Sequence, residues 1–414
     1  ILYFYYPLEE KISAIKFKEF KQFLIARLCL VLGTQMQAVI VGWQIYEITK
    51  DPLSLGLIGL AEAIPSISVS LYAGFIVDRN SRKKIIMSSV TVLLICSILL
   101  LIIAADINSF ILGNKLFLIY AVIFLSGIAR GFISPANFAF LSQLVPKEAL
   151  PNAVSWSSSN WQFGAVAGPA IGGLIYGFFG VIAAYTIDVA FMIIGLIFFA
   201  VIPKKPVPDF KKEEGIVSSI KEGLKFVFKN KLILPAISLD MLAVLFGGAT
   251  AILPIFAGEI LNVGAQGLGI LRAAPAVGAV IMGLIMTRVS LVHNAGRNLF
   301  ITVFMFGVCM LIFGLSKSFY LSIVALLFSG VFDQISVVIR GSVIQLFTPD
   351  NMKGRVSSVD HIFIGSSNEI GAFESGVMAK LMGTVTSVIF NSCMTLGVVT
   401  IIASVSKKLR KLKL

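Results

Sequence analysis

The sequence predicts an all-α polytopic membrane protein of about twelve transmembrane helices, arranged as two six-helix pseudo-repeats. Three observations lead there. Hydrophobic residues fill 57% of the 414 positions and charged residues only 13%, where a soluble domain carries about 25% charged residues. The apolar residues come in blocks as long as the roughly 20 residues a helix needs to cross a bilayer. Glycines and prolines of the first half then recur at a fixed distance in the second.

The apolar blocks give spans at 23–47, 54–77, 85–105, 116–141, 153–177 and 181–202, then at 232–256, 266–287, 298–315, 319–346, 356–379 and 384–405. Residues 1–202 form one bundle, 203–231 a linker and 232–414 the other. The linker opens with Pro203, Pro206 and Pro208, which resist helix. It continues with Ile216, Ile220, Leu224, Val227 and Phe228 at helical spacing against Lys221, Lys225 and Lys229. That pattern predicts an amphipathic helix lying on the membrane surface. The lysine- and phenylalanine-rich start reads as a similar lead-in and not as a cleavable signal.

Lysine and arginine fall overwhelmingly on the side that carries both termini. Arg79, Arg82, Lys83, Lys84, Lys147, the linker lysines, Arg288, Arg297, Lys353 and Arg355 lie there, against Lys50, Lys115, Lys317 and Lys380 opposite. The positive-inside rule therefore puts both termini in the cytoplasm. The net charge of +13 is accounted for by loops facing anionic lipid headgroups. No basic stripe with interleaved aromatics points to nucleic acid. Cys29, Cys96, Cys309 and Cys393 all sit within spans without close spacing, and His293 and His361 form no metal motif, so neither disulfide nor metal is expected. No nucleophile–base spacing or phosphate loop suggests an enzyme or an ATP-driven pump, and no cofactor is expected.

Gly127, Pro146, Gly168, Gly173 and Gly180 recur as Gly330, Pro349, Gly371, Gly376 and Gly383, each 203 residues on. Earlier in the halves the register drifts, with Pro65 matching Pro275 and Arg79 matching Arg288. The tight loop Gly74-Phe-Ile-Val-Asp78-Arg79-Asn-Ser-Arg82 joins spans two and three. Span five carries Gly164, Gly168, Pro169, Gly172 and Gly173, a bare ridge that permits close helix packing, with a proline that should bend it. Loop, ridge and repeat together resemble the major facilitator superfamily of solute transporters. The resemblance implies two halves rocking about a central site. It implies a latch of Gly74, Asp78, Arg79 and Arg82 against the start of span eleven near Arg355, and an antiporter-type ridge in span five. In the second-half loop the acidic residue is replaced by Thr287.

Charges inside spans are costly and default to functional hypotheses. Candidates for proton coupling are Glu369, Asp333 and Glu374, with Arg130, Arg340, Asp240 and Glu62. Arg130 and Asp333 are repeat equivalents of opposite sign, which suggests a pair across the cavity or two sites biasing each other, while Arg340 competes as a partner of Asp333 on its own helix. Asp188 and Arg27 read as structural. The segments from Arg27 to Tyr46, from Leu55 to Pro65, and Asn368-Glu369-Ile-Gly371-Ala-Phe-Glu374-Ser-Gly376 are similar to the branch that includes siderophore exporters and secretion effectors. That similarity implies a monomeric, proton-coupled exporter of a siderophore-like amphiphile, with a multidrug or lipid cargo as the alternative. Gln35, Gln37, Trp43, Gln44 and Trp161 supply amides and aromatic faces for such a cargo.

Overall fold

A computed structural model describes residues 13–106, 109–206, 216–286, 294–349 and 352–413. The lead-in and the second-half loop with Thr287 and Arg288 lie outside the described residues, as do the side chains of Gly74, Asp78 and Arg355. The fold is helical throughout the described residues. The first half holds α1 (Lys18–Thr49), α2 (Pro52–Arg79), α3 (Arg82–Ala104), α4 (Ser109–Leu141) and α5 (Leu150–Val201). After the linker helix α6 (Ile216–Lys229) come α7 (Ile233–Gly247), α8 (Gly264–Met286), α9 (Ala295–Leu315), α10 (Phe319–Phe347), α11 (Lys353–Met382) and α12 (Thr384–Val405).

Among the described residues, ten helices are long and apolar enough to cross a membrane. One of them, within α5, contains two crossings. Its 52 residues would extend about 78 Å as one rod, against a hydrocarbon core of about 30 Å. Gly180, at φ +82°, breaks it in two. Gly383, at φ +87°, makes the equivalent turn between α11 and α12. Only glycine adopts such a conformation freely. The remaining crossing, α11, is missing from the apolar set because Asp360, Glu369 and Glu374 lie along it. The total is twelve.

The repeat is visible in the packing. A Cβ on Gly127 of α4 would lie 2.8 Å from the Pro65 ring of α2, and Gly330 of α10 rests on the Pro275 backbone of α8. Equivalent helix pairs thus cross at a glycine in each half, in registers about one turn apart. At the loops, sequence and structure cooperate differently. Asp51 caps α2 by accepting from the Ser54 amide at 3.2 Å, with Pro52 at the first helical position. Arg82 donates to the Ala139 carbonyl at 2.8 Å and Lys83 to the carbonyls of Ala200 and Ile202. These cations therefore close the C-terminal ends of α4 and α5, where carbonyls lack helical partners.

Among the described residues, the two halves share an apolar core at one end. A single apolar core runs from Met36, Ile40 and Tyr46 of the first half to Phe256, Leu268 and Phe313 of the second, at the face opposite the termini. Toward the terminus-bearing face the core divides. Phe20, Phe23, Phe140 and Phe199 pack within the first half, and Leu239, Leu299, Ile339 and Val399 within the second. α6 belongs with the second half: Val227 is buried against Ile233, Ile237 and Val356, while Lys221, Lys225 and Lys229 are exposed. The joined end is closed by two glycine seams. Gly56 of α2 meets Gly376 of α11, whose added Cβ would lie 2.7 Å from the Gly56 Cα. Gly173 of α5 meets Gly269 of α8, with 2.6 Å to the Gly269 Cα. Outside the seams an ion pair joins Lys380 to Asp51 at 2.6 Å. Burial opposes ionisation of Asp51, but hydrogen bonds from Lys380 and Ser54 outweigh it and hold its carboxyl below the usual range.

A side chain in a seam should prise the closed end apart. Gly376→Val is expected to lower cargo transport by about tenfold or more, equivalent to ~1.4 kcal/mol on the rate. Gly397→Val, whose Cβ would meet open space, should leave transport unchanged; initial transport rates normalised to membrane abundance decide this.

Candidate functional site

Each seam opens, one helical turn toward the terminus-bearing face, onto a charge. In α2, Glu62 follows Gly59 by three residues; in α8, Arg272 follows Gly269 by three; in α4, Arg130 follows Gly127 by three. α11 runs the other way, and Glu369 precedes Ala372 by three. A three-residue step stays on one helical face, so the glycines that bring the backbones together also aim these charges into the junction. Along α11 the change is sharp. Gly376 and Ala372 are packed against α2, the Glu369 carboxylate lies 3.3 Å from the Cβ position of Gly59, and Gly365 one turn further faces open space.

The charges form one cluster. Arg130 Nη1 donates to Glu62 Oε1 at 2.7 Å and Nη2 to Gln37 Oε1 at 3.3 Å. Gln37 Nε2 in turn lies 3.2 Å from Asp188 Oδ2 and from Ser97 Oγ. Glu369 is within electrostatic reach of Glu62, Arg130 and Arg272, and Arg272 of Glu369 and Glu62. Asp188, in the second crossing of α5, is buried, as a structural residue would be. Gln37 joins it to the cluster through the interior of the first half.

Below the cluster the facing surfaces are polar. Gln162 and Ser155 fall three and five turns along α5 from Gly173, on the same face. Ser155 and Ser159 are exposed there, as is Asn368 beside Glu369. Exposed polar groups at membrane depth require a water-filled cavity. With the core divided on this side and Arg130 and Glu62 still partly exposed, the described residues leave a polar hollow between the halves, with the charge cluster at its apex.

A family model described as transmembrane secretion effector matches residues 10–414. The chain belongs to this family, within the major facilitator superfamily. It is similar to macrolide efflux protein A of Streptococcus pyogenes, at 23% identity over 90% of this chain and 92% of that protein. It is also similar to the enterobactin exporter EntS of Escherichia coli O139:H28, at 26% identity over 89% and 87%. Among solved structures, a POT family transporter in complex with 5-aminolevulinic acid superposes with TM-score 0.75 at 14% identity, covering 95% of this chain and 97% of that one. A bacterial homologue of the iron transporter ferroportin gives TM-score 0.72 at 15% identity, covering 95% and 99%. The protein is thus a membrane transporter of the efflux type and not an enzyme.

Other candidate residues of this secretion effector occupy different surroundings. The cross-cavity partnership of Arg130 with Asp333 is not what the fold holds, since Arg130 is paired with Glu62 inside its own half. Nor is Asp333 the partner of Arg340 in an ion pair. Arg340 is buried between Asp240 of α7, to which it donates, and Asp360 of α11 at 3.7 Å. Asp333 lines a small crevice with Asp240, Ser336 and Phe332, close enough to Asp240 and Arg340 to feel both. Glu374 turns toward α12, accepting from Asn391 at 2.8 Å. Gln44 accepts from Tyr185 at 2.7 Å and is buried, and Trp43 donates to Glu47 at 2.7 Å near the closed face. Both are occupied within the bundle. Trp161 is exposed but stands a third of a turn around α5 from the Gly173 face. The span-five ridge has two functions. Gly164, Gly168 and Gly172 receive Val31, Gln35 and Met36 of α1, while Gly173 and the Pro169 carbonyl meet Gly269. Of the latch, Arg82 is committed to α4, and Asp78 and Arg355 lie outside the described side chains.

Gln37→Leu removes the bridge between Arg130 and Asp188 and leaves buried polar groups without partners, at a cost of about 1–3 kcal/mol. The purified variant should melt several degrees below wild type, while Trp161→Ala should not; thermal unfolding in detergent measures both.

Proposed function

We propose that the protein is a secondary active exporter of a small amphiphilic molecule, driven by exchange against protons, with both termini on the cytoplasmic side of a bacterial inner membrane. One observation carries this: Glu369 lies where the α2–α11 seam gives way to the hollow, among Glu62, Arg130 and Arg272. A carboxylate flanked by both signs of charge at such a boundary can change its protonation when the halves rock and its exposure changes. Residues 1–202 and 232–414 are the two moving bodies, and 203–231 is the tether. Asp78, Arg79 and Arg355 are proposed as the latch that closes the terminus-bearing face in the opposite state. The exporter works as a monomer, because the site lies between the halves of one chain.

The cargo is siderophore-like by kinship with the enterobactin exporter, and multidrug-like by equal kinship with the macrolide efflux protein. Linkage separates the two. With Glu369 ionised the four-charge cluster sums to zero, and with Glu369 protonated to +1. By reciprocity, a cargo that expels the proton must bind the ionised form better. A cationic amphiphile does so directly. An anionic one favours the protonated form, unless its charge stays away from the cluster.

Uptake of a fluorescent amphiphile into everted vesicles tests the coupling. Uptake should fall when the proton gradient is collapsed, since one proton crossing ~100 mV supplies about 2.3 kcal/mol. Glu369→Gln should abolish gradient-driven accumulation while sparing gradient-independent exchange. Gradient-insensitive uptake by the native protein would remove the proton from the mechanism.

A further inference from the structure

Glu374 of α11 and Asn391 of α12 touch through one pair of atoms and leave a second pair without partners. Asn391 Nδ2 donates to Glu374 Oε2 at 2.8 Å. The other carboxyl oxygen, Oε1, and the amide oxygen of Asn391, Oδ1, are both buried and form no hydrogen bond. With Glu374 ionised, both of these atoms are acceptors and neither has anything to give the other. Turning the amide over does not help, because its oxygen would then face a carboxylate oxygen. The surroundings supply no cation either. Asn391 lines a small crevice with Phe246, Met310 and Val388, and no charged side chain contributes to that lining. Glu374 makes no ion pair among the described residues.

An ionised carboxylate here would lack both a counter-charge and a donor for one oxygen, which is costly inside a membrane protein. One proton meets both needs. A neutral carboxyl carries an O–H to donate, and the last torsion of glutamate turns freely enough to bring the second pair together. We propose that Glu374 carries a proton on Oε1 and donates it to Asn391 Oδ1, so that acid and amide close a ring of two hydrogen bonds between α11 and α12. The ring holds α11 in one rotational setting. Ser375, the next residue, donates to the Gly248 carbonyl just beyond α7 at 3.0 Å, and a Cβ on Gly371 would lie 2.7 Å from the Leu245 carbonyl of α7. Glu369 stands about 140° around the helix from Glu374, on the side that meets Gly59 of α2. Glu374 is therefore a positioning residue, and its proton stays in the ring while Glu369 exchanges one. The exchange at Glu369 rests on the function proposed above; the neutral acid–amide pair does not.

Infrared spectra of the purified full chain in deuterated buffer near neutral pH test the pair without cargo. A neutral carboxyl has a C=O stretch that ionised carboxylates and amides lack. One component of that band should be lost in Glu374→Gln and kept in Glu369→Gln. Glu374→Gln should nevertheless melt with the native protein, because a glutamine amide donates to Asn391 Oδ1 and accepts from Nδ2 in the same ring. Asn391→Leu removes both partners of the acid. It should move the same component to higher frequency and lower the melting temperature by several degrees. A purely structural contact would move the melting temperature and leave the carboxyl band alone. Each variant decides where the other yields too little folded protein. A carboxyl band that neither variant alters overturns the inference, and a water donating to both oxygens beside an ionised Glu374 then takes its place. Gradient-insensitive uptake by a protein that keeps the band removes the exchange at Glu369 and leaves the ring standing.

Discussion

A charge at the depth of the hydrocarbon core must have either a counter-charge or water beside it. The arrangement of this protein follows from meeting both conditions at one place. Glu62, Arg130, Arg272 and Glu369 provide two charges of each sign on four helices drawn from both halves. They sit at the point where the packed junction ends and the hollow begins. Above them, Gly56 against Gly376 and Gly173 against Gly269 exclude water by letting backbones touch. Below them, serines and amides of α5 and α11 are exposed. Moving the cluster by one turn either way would strand it in a dry seam or dissolve it in solvent.

Much of the architecture was legible in the sequence because membrane depth imposes long apolar runs and because the repeat preserves backbone requirements. Gly180 and Gly383 stand 203 residues apart and both turn with positive φ. Pro65 and Pro275 match at a different offset and both support a glycine of the neighbouring helix. The crossing hidden inside α5 was recoverable from the same glycine. α11 was legible from its glycines although its hydropathy is low.

The site was less legible, for geometric reasons. Partnership between charges depends on which helices touch, and repeat arithmetic does not report contact. It paired Arg130 with Asp333, its equivalent across the pseudo-symmetry, while the actual partner is Glu62 on the adjacent α2. Arg272 is not among the sequence candidates, although Pro275, three residues on, matches Pro65, and the same register carried back three positions sets Arg272 against Glu62. Glu369 and Glu374 are both candidates for proton coupling in the sequence. Five residues rotate a helix by about 140°, so only one of them can face α2, and Glu374 accordingly meets Asn391 of α12. Gln37 showed as an amide but not as a bridge to Asp188, since the two are 151 residues apart.

The polarity of α11 also bears on how the chain enters a bilayer. A carboxylate at the centre of an isolated helix raises its insertion cost by about 2.5–3.5 kcal/mol, and α11 carries Glu369 and Glu374 together. Its natural companion is α12, joined through Gly383 alone and supplying the Asn391 amide to Glu374. The two then partition into lipid as a hairpin once α12 has been synthesised, and Glu369 meets Arg272 only after that. Insertion of α11 is thereby postponed until α12 has been translated, and truncation within α12 would strand α11 outside the membrane.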